Sequence, residues 1–166
     1  MRIRLLVVGK SDEAEYARGV ERYVTRTSRF VPTEVVVVKE ERPGQKPDAD
    51  RIRAAEAKRI LAVLEPRDLV VLLEAGGEEP TSEGLARLLR RWLDASPRSV
   101  TFVVGGAYGL DPALRTRAHA ILSPSRMTLP HQLARLVLAE QVYRAIAALR
   151  GVACSKWAEF PDAEED

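Results

Sequence analysis

Four short apolar runs, residues 3–8, 35–38, 69–73 and 100–104, constrain this chain more than any other feature. Each is a near-continuous stretch of Val, Leu, Ile or Phe rather than an alternation of apolar and polar residues, the pattern of strands covered on both faces. Strands of that kind belong to a parallel sheet, and parallel strands need long connections between them. The intervening segments supply these. Residues 12–29 place Tyr16, Val20, Tyr23 and Val24 at helical spacing, with Ser11 or Asp12 positioned as a cap. Residues 48–64 repeat the pattern with Ile52, Ala55, Ile60 and Leu64, opened by aspartates that favour the positive end of a helix dipole. Thr81 or Ser82 caps a third helix carrying Leu85, Leu88, Leu89, Trp92 and Leu93. The expected fold is α/β, a mainly parallel sheet with helices on both faces and right-handed crossovers.

The regularity changes after Val104. Asp111-Pro112 can start a helix, since Asp caps and Pro is tolerated at the first helical position, but only a few residues remain before the next apolar run at 119–122. A last helix is expected from His131 or Gln132 to about Leu149. Its apolar residues, among them Leu133, Leu136, Val137, Val142, Tyr143 and Ile146, spread over more than one stripe. Such a helix either lies deep in its own core or also packs on a second subunit.

At 166 residues and 46% hydrophobic content the chain accommodates one core. Residues 1–150 read as one domain and residues 151–166 as an acidic tail. The overall charge is +2, yet five acids (Glu159, Asp162, Glu164, Glu165 and Asp166) lie in the last eight residues, so the rest carries 26 basic against 19 acidic side chains. A basic body permits a polyanionic partner without demanding one. Cys154 is the only cysteine, which excludes an intrachain disulfide and fits a reducing, cytoplasmic setting. The first apolar run is too short for a signal peptide, and no stretch approaches the roughly 18 apolar residues of a membrane helix.

Chemistry concentrates where strands end. Gly105-Gly106-Ala107-Tyr108-Gly109 follows a buried strand directly, so it is either a tight turn or a place where backbone amides approach a ligand. No Lys-Ser or Lys-Thr follows, and the spacing is G-G-x-x-G; a phosphate-gripping loop and a dinucleotide fingerprint both lose ground. Residues 123–131, Ser-Pro-Ser-Arg-Met-Thr-Leu-Pro-His, mix aliphatic, hydroxyl and backbone groups that suit a flat uncharged ring such as adenine. Glu74-Ala75-Gly76-Gly77-Glu78 reads as a flexible turn or as a third loop at the same edge.

The pair G-G-A-Y-G-L and S-R-M-T-L-P-H, followed by Q-L-A-R-L-V-L-A-E-Q-V-Y-R-A, closely resembles the large-subunit ribosomal RNA pseudouridine N3-methyltransferase family of the SPOUT superfamily. The opening I-R-L-L-V-V-G-K and the L-L-E-A-G-G segment extend the resemblance over residues 1 to about 150. It implies a carboxyl-terminal deep trefoil knot, a homodimer, and S-adenosyl-L-methionine bound by the knot loops. It further implies methylation of N3 of a pseudouridine in 23S ribosomal RNA, within the assembled ribosome. Carried over by motif position, Leu73, Gly105, Pro124, Ser125, Arg126, Met127, Thr128 and Leu129 line the cofactor pocket. No metal is required, because a methyl group on a sulfonium is already activated; what the reaction needs is alignment and removal of a proton from the base nitrogen. His131, near a helix start that favours its neutral form, is the candidate catalytic base; its other reading is a packing histidine.

Arg135 and Arg144 are the candidate RNA-binding residues. They lie nine apart on the last helix and project from different sides, so they cannot address one spot on one subunit, and Glu140 is spaced to pair with Arg144. Arg18, Arg22, Arg26 and Arg29 form one stripe on the first helix, either phosphate-tracking or simply solvated. The resemblance fails at the end of the chain, where relatives finish with a Pro-Tyr-His segment and this sequence has Lys156, Trp157 and Phe160. Two other readings therefore accompany the methyltransferase: an RNA-binding SPOUT relative with lost or redirected catalysis, and a flavodoxin-like small-molecule enzyme.

Overall fold

The computed structural model describes residues 1–152. Strands β1 (Arg2–Val8), β2 (Thr33–Val38), β3 (Asp68–Glu78), β4 (Ser99–Val104) and β5 (Ala120–Leu122) form one sheet in the order β2-β1-β4-β3-β5. Every neighbouring pair runs parallel. The connections contain helices α1 (Ala14–Ser28), α2 (Ala49–Val63), α3 (Ser82–Asp94) and a 3-10 helix at Pro112–Arg117; α4 (His131–Leu149) follows β5. The short crossover after Asp111 is thus a 3-10 helix rather than an α-helix, with Asp111 accepting from the Ala113 amide.

The continuous apolar runs divide by side-chain alternation into two cores. Ile3, Leu5, Val7, Val71, Val100, Phe102 and Val104 face one side, under α1, α3 and α4. Leu6, Val8, Val70, Leu72 and Val103 face the other, against Ala57 and Ile60 of α2 and Leu114 of the 3-10 helix. Side and direction are linked. Steps from β1 to β2 and from β3 to β4 run one way along the sheet with their helices on the first side. Steps from β2 to β3 and from β4 to β5 run the opposite way, with their helices on the second side. All four crossovers therefore share one hand, as the parallel-sheet rule requires.

The cap expected of Thr81 is made, to the Gly84 amide, and Asp48 caps α2 at the Arg51 amide. The cap expected of Ser11 or Asp12 is not: α1 begins after Glu13 with no side-chain cap, and the Ser11 hydroxyl bonds Gln132 of α4 instead. β2 also departs from expectation. It is an edge strand, α1 leaves its outer margin bare, and Val35 and Val37 stay 38% and 46% exposed. The segment 74–78 is neither a turn nor a free loop. β3 continues through it after an irregularity, and Glu78 pairs with Leu122. A Cβ on Gly77 would stand 2.7 Å from the Leu122 carbonyl carbon, so β5 can approach only a glycine there.

α4 is buried between α1 and α3, with Leu138, Ala139, Val142, Ala145, Ile146 and Ala147 inaccessible, which accounts for most of its apolar width. At the amino ends of the strands a polar layer closes the sheet: Asp68 accepts from Ser99, the Glu65 amide and Arg4. The carboxyl ends are left for the site.

Candidate functional site

β4 and β5 end beside Leu73 of β3, which is in register with both Val104 and Leu122. The chain leaving each of them borders a cavity of about 570 Å3. Leu73, Gly105, Pro124, Ser125, Met127, Thr128, Leu129 and His131, all expected from the sequence, line it together. Arg126 does not: its side chain is 88% exposed and points to Glu79, 3.6 Å away. Glu74, Ala75, Gly106, Ala107 and Gly109 line the cavity as well. Of these, Glu74 carried a legible signal, a carboxylate directly after the apolar run 69–73, near where open sheets place ligand-binding groups.

The two loops are built differently. Gly106 and Gly109 close on each other, the Gly109 amide donating to the Gly106 carbonyl at 3.1 Å, and Gly109 has φ +80°. A Cβ on Gly105 would lie 2.8 Å from the Gly109 carbonyl carbon. Glycine at 105 is thus required first by the closure of the loop on itself. In the other loop Ser123 donates to the Ser125 carbonyl, and the Ser125 hydroxyl accepts from the Met127 amide at 2.9 Å. The amides of Thr128 and Leu129 have no partner among the described residues, so the loop offers donors to a ligand.

His131 opens α4 directly after Pro130. Burial holds its imidazole below the usual histidine range, the Arg135 guanidinium adds to this, and Glu40 and Asp12 oppose it. The site therefore favours the neutral ring, in which one nitrogen can accept a proton. The other histidine is occupied by the fold, His119 Nδ1 accepting from the Val70 amide at 3.0 Å.

One of the two candidate RNA-binding arginines is committed to the interior. Arg135 is 5% exposed and donates to the Val8 carbonyl, inside the chain rather than toward a phosphate. Arg144 is half-buried and paired with Glu140 one turn away. On α1, Arg18, Arg22 and Arg29 are exposed, while Arg26 lies over the rings of Tyr23 and Tyr143. Lys156, Trp157 and Phe160 fall outside the described residues. Among the described residues no cluster of side chains could hold a metal ion, and no helix is long and apolar enough to cross a membrane.

A second feature lies one strand away. Connections leave β1 and β4 in opposite directions, which makes their carboxyl ends the sheet's switch point. There Glu56 of α2, 4% exposed, fills the space behind Gly106: a Cβ on that glycine would stand 3.2 Å from Glu56 Oε2. Arg53, one turn earlier, donates to the Tyr108 carbonyl at 3.2 Å.

A cavity of this size, with aliphatic walls, unpaired amides and no metal-ligating cluster among the described residues, fits a nucleoside-containing cofactor. Comparison with known proteins agrees in fold. A probable methyltransferase from Bordetella pertussis superposes with a TM-score of 0.56 at 22% identity, covering 87% of this chain and 96% of that one. A probable methylase family protein from Haemophilus influenzae gives 0.53 at 15% identity, covering 96% and 72%. In sequence, the ribosomal RNA large subunit methyltransferase H of Gemmatimonas aurantiaca is 44% identical over 91% of this chain and 97% of its own length. Its namesake in Porphyromonas gingivalis is 41% identical over 90% and 95%. The family model for predicted SPOUT methyltransferases matches residues 1–153, and the chain belongs to that family.

Proposed function

We propose that this protein is an S-adenosyl-L-methionine-dependent methyltransferase that modifies N3 of a pseudouridine in 23S ribosomal RNA. The observation that carries the reading is the convergence of residues 73–75 of β3 and the loops after β4 and β5 on one cavity with His131 on its wall. Relatives named as ribosomal RNA large subunit methyltransferases match along nearly their full length, which supports the substrate class. Leu73, Gly105 and the run Pro124, Ser125, Met127, Thr128 and Leu129 would hold the cofactor, largely through backbone groups. Bound there, it supplies an activated methyl group.

The chain's own residues supply the rest. The loops exclude water and fix the ligand's orientation, so that the base nitrogen is presented in one direction. His131 takes the proton that this nitrogen must lose, a task its lowered basicity suits at neutral pH. Met127, 78% exposed beside the cavity, is apolar surface that a second copy or the RNA would cover. The same reading has the chain act in the cytoplasm as a homodimer on the assembled ribosome, with residues 1–150 as its one domain and the last part threaded as a trefoil knot. The match of residues 1–153 to the SPOUT methyltransferase family supports that threading.

The test is methyl transfer from labelled S-adenosylmethionine to ribosomes lacking the modification, with the acceptor mapped in the large-subunit RNA. His131→Ala is expected to lower turnover by about 10²–10⁴ while leaving affinity for S-adenosylhomocysteine unchanged. A normal rate removes His131 from the mechanism. Wild-type protein that binds the cofactor but modifies no nucleotide would point to a relative with lost or redirected catalysis.

A further inference from the structure

We infer that Glu74 is a cofactor-binding residue whose carboxylate accepts a hydrogen bond from a ribose hydroxyl of S-adenosylmethionine. The inference rests on the cofactor reading above and assigns one of its contacts to a side chain. Glu74 is the first residue beyond the register that joins β3 to both β4 and β5, and it lines the cavity. Its side chain is only 12% exposed. One oxygen, Oε2, accepts from Nε and Nη2 of Arg115 at 3.1 and 3.0 Å. The other, Oε1, is buried and has no partner among the described residues.

An ionised carboxylate is an acceptor on both oxygens, and a buried acceptor with nothing to accept from is costly. Arg115, on the 3-10 helix, braces the group from its far oxygen and is itself largely in solvent, so the brace does not satisfy Oε1. On this inference the donor comes from what enters the cavity that Glu74 borders. Its charge can be argued. The guanidinium already neutralises the carboxylate, so the remaining oxygen attracts a neutral donor better than it attracts an ammonium, whose own charge would go uncompensated. Backbone groups of residues 124–129 suit the adenine ring, and the ribose is the part of the cofactor next to adenine that carries neutral hydroxyl donors. Carboxylates at strand ends recognise ribose hydroxyls in open α/β sheets by the same chemistry.

The experiment is a calorimetric titration of wild type, Glu74→Gln, Glu74→Ala and Arg115→Ala with S-adenosylhomocysteine and with its 2′-deoxy and 3′-deoxy ribose analogues. Wild type should lose about ten- to a hundredfold in affinity on one of the deoxy analogues, the range for a hydrogen bond to a charged group. Glu74→Ala should bind the parent compound that much more weakly and no longer distinguish the analogue from it. Arg115→Ala keeps the accepting oxygen and should still discriminate. Glu74→Gln, nearly isosteric, reads the same cycle at reduced discrimination should the alanine variant fail to fold. A wild type that tolerates both deoxy analogues overturns the inference, as do Glu74 variants that discriminate as wild type does. No binding of S-adenosylhomocysteine by wild type breaks the underlying cofactor reading instead.

Discussion

The switch point between β1 and β4 and the cavity beside Leu73 and the ends of β4 and β5 are neighbours that share the 105–109 loop, yet they are built to opposite ends. The first is where a doubly wound sheet ordinarily receives its ligand. On the α2 side the chain fills it from within, placing the Glu56 side chain behind Gly106 and tying Arg53 to the Tyr108 carbonyl. The second lies beyond the switch point and is left open, bordered by Glu74 and by a loop whose Thr128 and Leu129 amides have no partner among the described residues. Strand order alone therefore points one strand away from the open cavity. What relocates it is β5, which joins the sheet outside β3 and brings residues 123–130 over the loops that precede them in the chain.

The contrast is sharpest at two adjacent glycines. A Cβ at Gly105 would meet the backbone of Gly109 at 2.8 and 3.0 Å, and backbone does not yield locally. A Cβ at Gly106 would meet the carboxylate end of Glu56 at 3.2 Å and Val8 Cγ1 at 3.3 Å, groups that can shift. Overpacking of the first kind costs about 1–3 kcal/mol; expressed wholly in the loop, that is up to about a hundredfold in affinity for S-adenosylhomocysteine. Gly105→Ala should approach that loss, and Gly106→Ala should stay within about tenfold. Titration calorimetry of the two variants decides it. Equal losses would mean that the loop responds as one unit and that the distinction between its two sides is false.

How much of this was legible follows from the kind of constraint involved. The runs at 3–8, 69–73 and 100–104 could be read as buried parallel strands because burial on both faces leaves its mark residue by residue. The loop residues could be placed because Gly105 and the 124–129 segment carry a family pattern. Three things left no such mark. Val35 and Val37 look like their counterparts in central strands, and only sheet order reveals that β2 is an edge. Gly76-Gly77 has turn composition, but β5 needs the missing Cβ of Gly77 to reach its partner. Arg135 reads as a surface arginine until α4 is placed between two helices and its guanidinium meets the Val8 carbonyl. Each depends on contacts distant in sequence, which local pattern does not encode.

The filled crevice has a titration signature that the open cavity lacks. Burial pushes the Glu56 carboxyl above the usual glutamate range, and the neighbouring Glu40 charge adds to it. The folded value lies above the unfolded one, so the fold favours the protonated form. The stabilisation is complete below the ordinary carboxyl range and is lost as pH rises through the raised folded value. Glu56→Gln mimics the protonated group at every pH. Its Tm should exceed that of wild type at pH 7, by about 2–4 °C for each kcal/mol relieved, and the two should converge near pH 4. Thermal melts across that interval test it. An offset that does not change with pH would show that the carboxyl titrates alike in both states and that the crevice imposes no desolvation cost.

Arg53 asks whether the two regions are coupled at all. Its guanidinium reaches from α2 to the Tyr108 carbonyl at 3.2 Å, the one side-chain hydrogen bond from that helix to the glycine loop among the described residues. It also pairs with Asp50, whose side chain is fully in solvent at 92% exposure, so that pair adds little to stability. If the loop owes its shape to its own closure, as the Gly106 to Gly109 bond suggests, Arg53 only trims it. Arg53→Ala should then weaken S-adenosylhomocysteine binding by about two- to tenfold, the worth of a single hydrogen bond, with Tm moved by no more than about 2–4 °C. Arg53→Lys should recover part of the loss, because an ammonium can still reach a carbonyl. A loss as large as that of Gly105→Ala would place α2 inside the binding site, and the crevice would then be the rear wall of the cavity rather than a separate, closed region.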